Sequence, residues 1–407
     1  MKSNNLFFTV FLSCFLFQTL IVSSCSDAPN SFVDQPKNGS KSSQEVKKFT
    51  PVEKPIANET EGLEAPDENY ENQKLNPIKV LSLDGGGIRG VLLARLLQKF
   101  EQVSDKRIYE LFDLIAGTST GGLLSLLLTM PLSKDKLPLT VKEAEKFYKD
   151  NARLIFKYSC SNLIPKTVCS LRGPLYDALS MEALIQKTFG KKLFSESLIP
   201  TLLTTFSIEE KQGISLESDN AKFSHLNVLE VARATSAAPT FFIPKEVTLI
   251  NSNNRPYQAF LIDGGIYKNN PAPLAFDKAE RIFGRAEILR RGIVLVSIGT
   301  GKGVLNSHNG SSLLNAGAAT WAPAVIDALI DGSSNEDEGA MENIFESLPG
   351  SHYIRIQTLL DNANYPEITE LDSTTEKTID LLLQAAEITK QSAEYQKALK
   401  LITNHEL

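Results

Sequence analysis

Four times along this chain an apolar, strand-like run stops abruptly at glycine. The runs are "IKVLSLDGGG" (Ile78 to Gly87), "LFDLIAGTSTGG" (Leu111 to Gly122), "AFLIDGG" (Ala259 to Gly265) and "GIVLVSIGTG" (Gly292 to Gly301). Their aliphatic and β-branched content reads as buried strand, and the glycines read as turns. Helical spacing follows the first, at Leu92, Leu93, Leu96, Leu97 and Phe100, and Gly122 to Met130 continues the second as an apolar helix. Strand, glycine turn, helix, repeated, predicts an α/β fold with a mostly parallel central sheet flanked by helices. Ligand sites in such sheets collect at the carboxyl ends of strands, where all these glycines fall. Beyond Gly303 the pattern is mainly helical. The acid-rich "DGSSNEDEG" (Asp331 to Gly339) reads as a solvated turn, without the offsets of a calcium loop.

The chain has 407 residues and is 42% hydrophobic, enough for a sizeable core. A net charge of −6 with no basic run excludes a nucleic-acid partner. The N-terminus is organised differently. Residues 1–24 read as a signal peptide, with a basic start at Lys2 and an apolar run from Leu6 to Val22. "VSSC" (Val22 to Cys25) resembles a bacterial lipobox, in which cleavage precedes a lipidated cysteine. The expectation is an exported lipoprotein anchored to a membrane of the bacterial envelope through Cys25, the alternative being a simply secreted protein. Residues 25–76 are rich in Asn, Ser, Pro, Lys and Glu and read as a disordered tether. About 50 such residues reach about 40 Å on average. Residues 77–407 form the folded domain. Cys160 and Cys169 either pair in an oxidising compartment or stay separate thiols. No C-x-x-C or histidine cluster calls for a metal.

Three motifs carry chemistry. In "DGGGIRG" (Asp84 to Gly90), Gly85, Gly87 and Gly90 fit a dinucleotide fingerprint, but the same loop serves as an oxyanion hole. "GTSTG" (Gly117 to Gly121) is a G-x-S-x-G, the pattern that bends a strand sharply into a helix and lifts a serine into a pocket. Its bland alternative is a helix-capping Ser119. In "LIDGG", Asp263 either caps a turn or points into the same crevice and accepts a hydrogen bond from Ser119. Burial would raise the low proton affinity of such an aspartate, making a Ser–Asp pair feasible without histidine. A conventional triad would need His225, the histidine nearest a suggestive stretch.

The order D-G-G-G-x-R-G, G-T-S-T-G-G, A-R-A-T-S-A-A-P-T, D-G-G resembles the patatin-like phospholipase family. "GPLYD" (Gly173 to Asp177), "VLVSIGTG" (Val294 to Gly301) and "YIRIQ" (Tyr353 to Gln357) resemble its plant-patatin branch. The resemblance implies a three-layer patatin-like fold over 77–407. It implies a catalytic dyad of Ser119 and Asp263, an elbow flanked by Gly117 and Gly121, and an oxyanion hole at Gly85, Gly86 and Gly87 with Arg89 beside it. The implied activity is lipid acyl hydrolysis of the phospholipase A or lysophospholipase type, through an acyl-serine and without a cofactor. The substrate would be a phospholipid or other lipid ester, and "APTFFIP" (Ala238 to Pro244) would line the acyl pocket. A transacylase on the same dyad and a non-catalytic lipid-binding lipoprotein are the alternatives. The presence of both Ser119 and Asp263 argues against the last. The lipobox and tether depart from the plant pattern.

Overall fold

In the computed structural model, residues 75–404 are described, apart from 162–163, 165, 171–172, 252, 304–317, 361–364, 366–367 and 369–370. The residues read as a signal, Cys25 and nearly all of those read as a tether lie outside them. Eight strands form one sheet: β1 (Ile78–Leu83), β2 (Leu114–Thr118), β3 (Thr201–Ser207), β4 (Gln212–Glu217), β5 (Lys245–Ile250), β6 (Pro256–Asp263), β7 (Ile293–Ile298) and β8 (His352–Ile356). The order is β5-β6-β3-β2-β1-β7-β8, with β4 against β3. The five strands from β3 to β8 run parallel. The β4, β5 and β6 pairings are antiparallel.

The central strands bury both faces, as the unbroken apolar runs require. Ile78, Val80, Leu114, Ala116, Ile293 and Leu295 enter one core. Leu81, Leu83, Ile115, Val294, Val296 and Ile298, the alternate positions, enter the other. The larger core is covered by α1 (Gly90–Ser104), α2 (Thr120–Thr129), α3 (Val141–Ile155), α4 (Ala178–Phe189) and α5 (Val228–Thr235). The smaller is covered by α6 (Ala272–Phe283) and α7 (Ala318–Glu346). The C-terminal helices α8 (Glu376–Thr389) and α9 (Ala393–Thr403) return to the larger one. Helix, sheet, helix is the expected three-layer α/β arrangement. Cys160 and Cys169, left open by the sequence, are joined as a disulfide with their Cα atoms 6.0 Å apart.

The turn expected at Asp331 to Gly339 is instead the interior of α7. Two glycines there cost about 1 kcal/mol each in helix propensity. Tertiary contacts outweigh them. Buried Ser334, Asp337, Met341 and Phe345 recur at helical spacing along one face. Ser334 takes a hydrogen bond from Asn269 Nδ2 at 3.2 Å, and Asp337 pairs with Lys268. Two of these four inward positions are polar, so hydrophobic periodicity does not reveal the face.

A buried ion pair locks the end of β1. Asp84 receives two hydrogen bonds from Arg355 of β8, at 2.9 and 2.5 Å, across 271 residues of chain. Both side chains are almost fully buried. Removing one partner strands the other charge, which typically costs about 3–5 kcal/mol. Asp84→Asn is therefore expected to lower unfolding stability by about that amount, read as a shifted denaturant midpoint at unchanged slope. A loss under about 1 kcal/mol, the range of exposed pairs, would mean the pair is effectively solvated.

Candidate active site

The site is assembled by a competition for one strand edge. β4 occupies one edge of β3 from Leu202 to Ser207. The other edge is shared. β2 pairs with Thr201 to Thr204, and β6, running the opposite way, pairs with Thr205 to Ser207. The carboxyl ends of β2 and β6 therefore meet head-on, with Thr118 opposite Thr204 and Asp263 opposite Thr205. The threonines seal the junction: Thr204 Oγ1 donates to Thr118 Oγ1 at 2.7 Å, and Thr205 Oγ1 to the Ile262 carbonyl at 2.7 Å. Ser119 and Asp263, far apart in sequence, are brought to the same point.

Ser119 turns β2 into α2 at φ 52° and ψ −117°, a conformation a side chain rarely adopts. Backbone crowding enforces the bend. A Cβ on Gly121 would lie 2.3 Å from the Leu83 carbonyl oxygen, and one on Gly117 would lie 2.5 Å from the Gly121 oxygen. Ser119 occupies the N-cap position of α2 but makes no side-chain cap bond, so the helix-capping role is not the one its hydroxyl performs. The hydroxyl belongs instead to the cavity that the Asp263 carboxylate also lines. The Ser119 N–H donates to Thr235 Oγ1 at 2.9 Å.

Asp263 is buried. Its Oδ1 takes the Gly265 N–H at 2.8 Å, so it does cap the following turn, and its own N–H donates to the Ala237 carbonyl at 3.0 Å. Burial pushes its carboxyl up to about 6, against the opposing pull of the Ser119 hydroxyl, the Gly265 N–H and the Arg233 charge.

The glycine loop lies alongside. Gly86 and Gly87 line the cavity that holds Ser119 and Asp263. Gly85 does not, and its N–H is turned to the Asn269 carbonyl at 3.4 Å. Thr300 Oγ1 fixes the Gly85 carbonyl at 2.6 Å. Gly87 sits at φ +59° with the Leu371 carbonyl where a Cβ would be. That carbonyl takes the Ile88 N–H at 2.8 Å. Arg89 is buried behind the loop, its Nη1 3.4 Å from the Gly301 carbonyl, and does not face the cavity.

The cavity encloses about 950 Å³, its open mouth included. Ser119, Thr120, Tyr148, Ser236, Thr240, Asp263 and Asn269 supply its polar lining. Leu123, Ile155, Phe156, Met181, Ala238, Pro239, Phe241, Phe242, Ile266 and Leu371 make the rest mainly apolar. Of the segment expected to line it, Ala238 to Phe242 do so, while Ile243 and Pro244 face a separate outer cleft. His225 is elsewhere, exposed and bonded through Nε2 to the Thr248 carbonyl at 2.8 Å. No histidine among the described residues lines the cavity. Thr235, Asn269 and Leu371 were not singled out from the sequence. Thr235 alone had a signal, its place in the quoted "ARATSAAPT".

A deep apolar pocket, a strained serine, a buried aspartate and a glycine loop at one crevice are features of an acyl-transfer site. Comparison with known proteins places it more closely. The family model of patatin-like phospholipase matches residues 81–276. Patatin-15 of Solanum tuberosum is 30% identical over 354 residues, covering 79% of this chain and 88% of that protein. Patatin group M-3 of the same plant matches to the same extent. Among solved structures, VipD from Legionella pneumophila aligns over 77% of this chain and 67% of that one, at 12% identity and a TM-score of 0.32. The chain belongs to the patatin-like phospholipase family.

The raised Asp263 carboxyl has a stability consequence. Its folded-state value lies above that of an unfolded aspartate, so the fold is favoured by the protonated form. That contribution is complete below about pH 4 and is lost as pH rises through about 6. Asp263→Asn removes the charge that burial penalises. The variant should be more stable than wild type by about 2–3 kcal/mol at pH 8, with the gap closing at pH 4. Denaturant unfolding at the two pH values measures this. Equal stability at pH 8 would mean that the carboxylate is well solvated.

Proposed function

We propose that the protein hydrolyses lipid esters, with the phospholipase A or lysophospholipase reaction as the type, using Ser119 as nucleophile and Asp263 as its base. The observation carrying this is that Ser119, strained and with no side-chain cap bond, and the buried Asp263 line one mainly apolar cavity. Ser119 Oγ attacks the ester carbonyl carbon while its proton passes to Asp263. The carbonyl oxygen becomes an oxyanion beside Gly86, Gly87 and the first amides of α2, which have no partner within the helix. Collapse breaks the C–O bond to the leaving alcohol, which takes the proton from Asp263. Water then attacks the acyl-serine, gives its proton to Asp263, and the fatty acid leaves as Ser119 recovers that proton. An aspartate titrating near 6 suits this task better than an ordinary one, because a base works best near the operating pH. The family membership supports the lipid substrate. The apolar walls fit an acyl chain. No cofactor enters these steps.

Ser119→Ala and Asp263→Asn should each cut kcat/KM on a dispersed fatty-acid ester by about 10⁴-fold or more in folded protein. His225→Ala should retain wild-type activity. Activity should fall on the acid side of about pH 6, since only the carboxylate accepts the proton. Substantial rate in Ser119→Ala, or loss in a folded His225→Ala, would discard the dyad.

We further propose that Cys25 is lipidated and anchors the enzyme to a membrane of a bacterial envelope. The Cys160–Cys169 disulfide supports export to an oxidising compartment. Metabolic labelling with a fatty-acid analogue should mark the wild type and not Cys25→Ser. A chain beginning at Asn76 should keep its rate on dispersed ester and lose rate on membrane lipid, because nothing concentrates it at the surface. Equal labelling of wild type and Cys25→Ser would leave a secreted enzyme.

A further inference from the structure

The "GPLYD" stretch takes no part in the steps above, yet its Tyr176 is almost fully buried. Two backbone bonds seat it on the cavity wall. The Leu175 N–H donates to the Thr240 carbonyl at 3.0 Å, and the Tyr176 N–H to the Phe241 carbonyl at 2.9 Å. Its ring packs against Phe241 and Phe242, with centroids 5.5 and 5.7 Å away. Its hydroxyl donates to Oδ2 of Asp372, a buried acid 196 residues further along the chain. Lys166 Nζ lies 3.2 Å from the same oxygen.

A buried carboxyl is unfavourable unless it is bonded, so Tyr176 and Lys166 decide where Asp372 can sit. The residue before it touches the glycine loop. The Leu371 carbonyl takes the Ile88 N–H at 2.8 Å and occupies the space beside Gly87, while Leu371 also lines the cavity. One planar peptide unit joins that carbonyl to the Asp372 Cα, so pinning Asp372 fixes the direction in which the carbonyl points. Arg355 and Thr300 hold the loop at its start, at Asp84 and Gly85. Leu371 holds it at Ile88, next to the two glycines that face the cavity. The cavity wall and the glycine loop are thus tied through one hydroxyl.

We propose that Tyr176 and Asp372 are positioning residues for the glycine loop: their bond aims the Leu371 carbonyl, which places the Gly86 and Gly87 amides where the oxyanion forms. The proposal rests on the Ser119–Asp263 reading above. Neither residue touches the reacting atoms. An oxyanion forms from every ester, whatever its chain, and stabilising it acts on kcat. A wall contact matters only to a chain long enough to reach it, and acts on KM.

The test is kcat and KM on p-nitrophenyl butyrate and p-nitrophenyl dodecanoate, together with the rate of Ser119 labelling by a fluorophosphonate. Tyr176→Phe keeps the ring and loses the hydroxyl. It should lower kcat on both esters by about tenfold or more with KM little changed, since a misplacement of about 1 Å can cost about 100-fold. Labelling should slow by a similar factor. Asp372→Ala should do the same, and Asp372→Asn, which still accepts from the Tyr176 hydroxyl, should recover most of that loss. A raised KM on the dodecanoate, with kcat on the butyrate unchanged, would overturn the proposal and leave a wall residue. Asp372→Asn as slow as Asp372→Ala would overturn it as well. Should Asp372→Ala not fold, Tyr176→Phe decides alone through the same split between kcat and KM. Labelling that persists in Ser119→Ala would remove the Ser119 reading instead, and this inference with it.

Discussion

A strand has only two edges, and β3 must serve three neighbours. Because β4 takes one edge whole, β2 and β6 divide the other and end against each other. The rest of the site follows from this. Two strand ends that meet leave backbone groups that must be satisfied. Thr118, Thr204 and Thr205 do this with hydroxyls in place of ladder bonds. Ser119, just past the end of β2, and Asp263, the last residue of β6, both line the common crevice. A parallel sheet alone would place loops at one rim. The antiparallel β6, arriving from the other side, places an acid against a serine there.

Much of this was legible in the chain. Four strands ending at glycine marked the sheet and the rim where the site lies, because apolar runs broken by glycine have few other solutions. Ser119 and Asp263 were legible because each follows such a run directly. What was hidden depended on pairing that no local pattern encodes. Nothing near Gln212 announces that β4 will take an edge of β3 and force β2 and β6 together. The face of α7 was hidden because Ser334 and Asp337 turn inward, which reads as solvent-facing until Asn269 and Lys268 are known to lie opposite. The loop was only partly legible. Three glycines in a row look equivalent, yet Gly85 turns its N–H away while Gly86 and Gly87 face the cavity.

The electrostatics have a common logic. Histidine near an ordinary aspartate would be the stronger base in water, and the described cavity lacks one. In the proposed mechanism burial supplies the difference by disfavouring charge on Asp263, while the Ser119 hydroxyl, the Gly265 N–H and the Arg233 charge oppose it. The result is a carboxyl poised between a spectator that never accepts protons near neutrality and one too tightly protonated to start. The fold bears the strain of this, in a buried charge and a serine at positive φ.

The loop that faces the cavity is held by residues made long after it. Asp84 waits for Arg355, Gly85 for Thr300, and Ile88 for the carbonyl of Leu371. All three anchors lie beyond residue 276, where the family match ends. During synthesis the serine, the aspartate and the glycines are all in place before these three anchors exist. Contacts of such long sequence separation close late and slowly. The chain thus carries its own delay: a nascent protein holds every residue of the candidate site before the contacts that complete it.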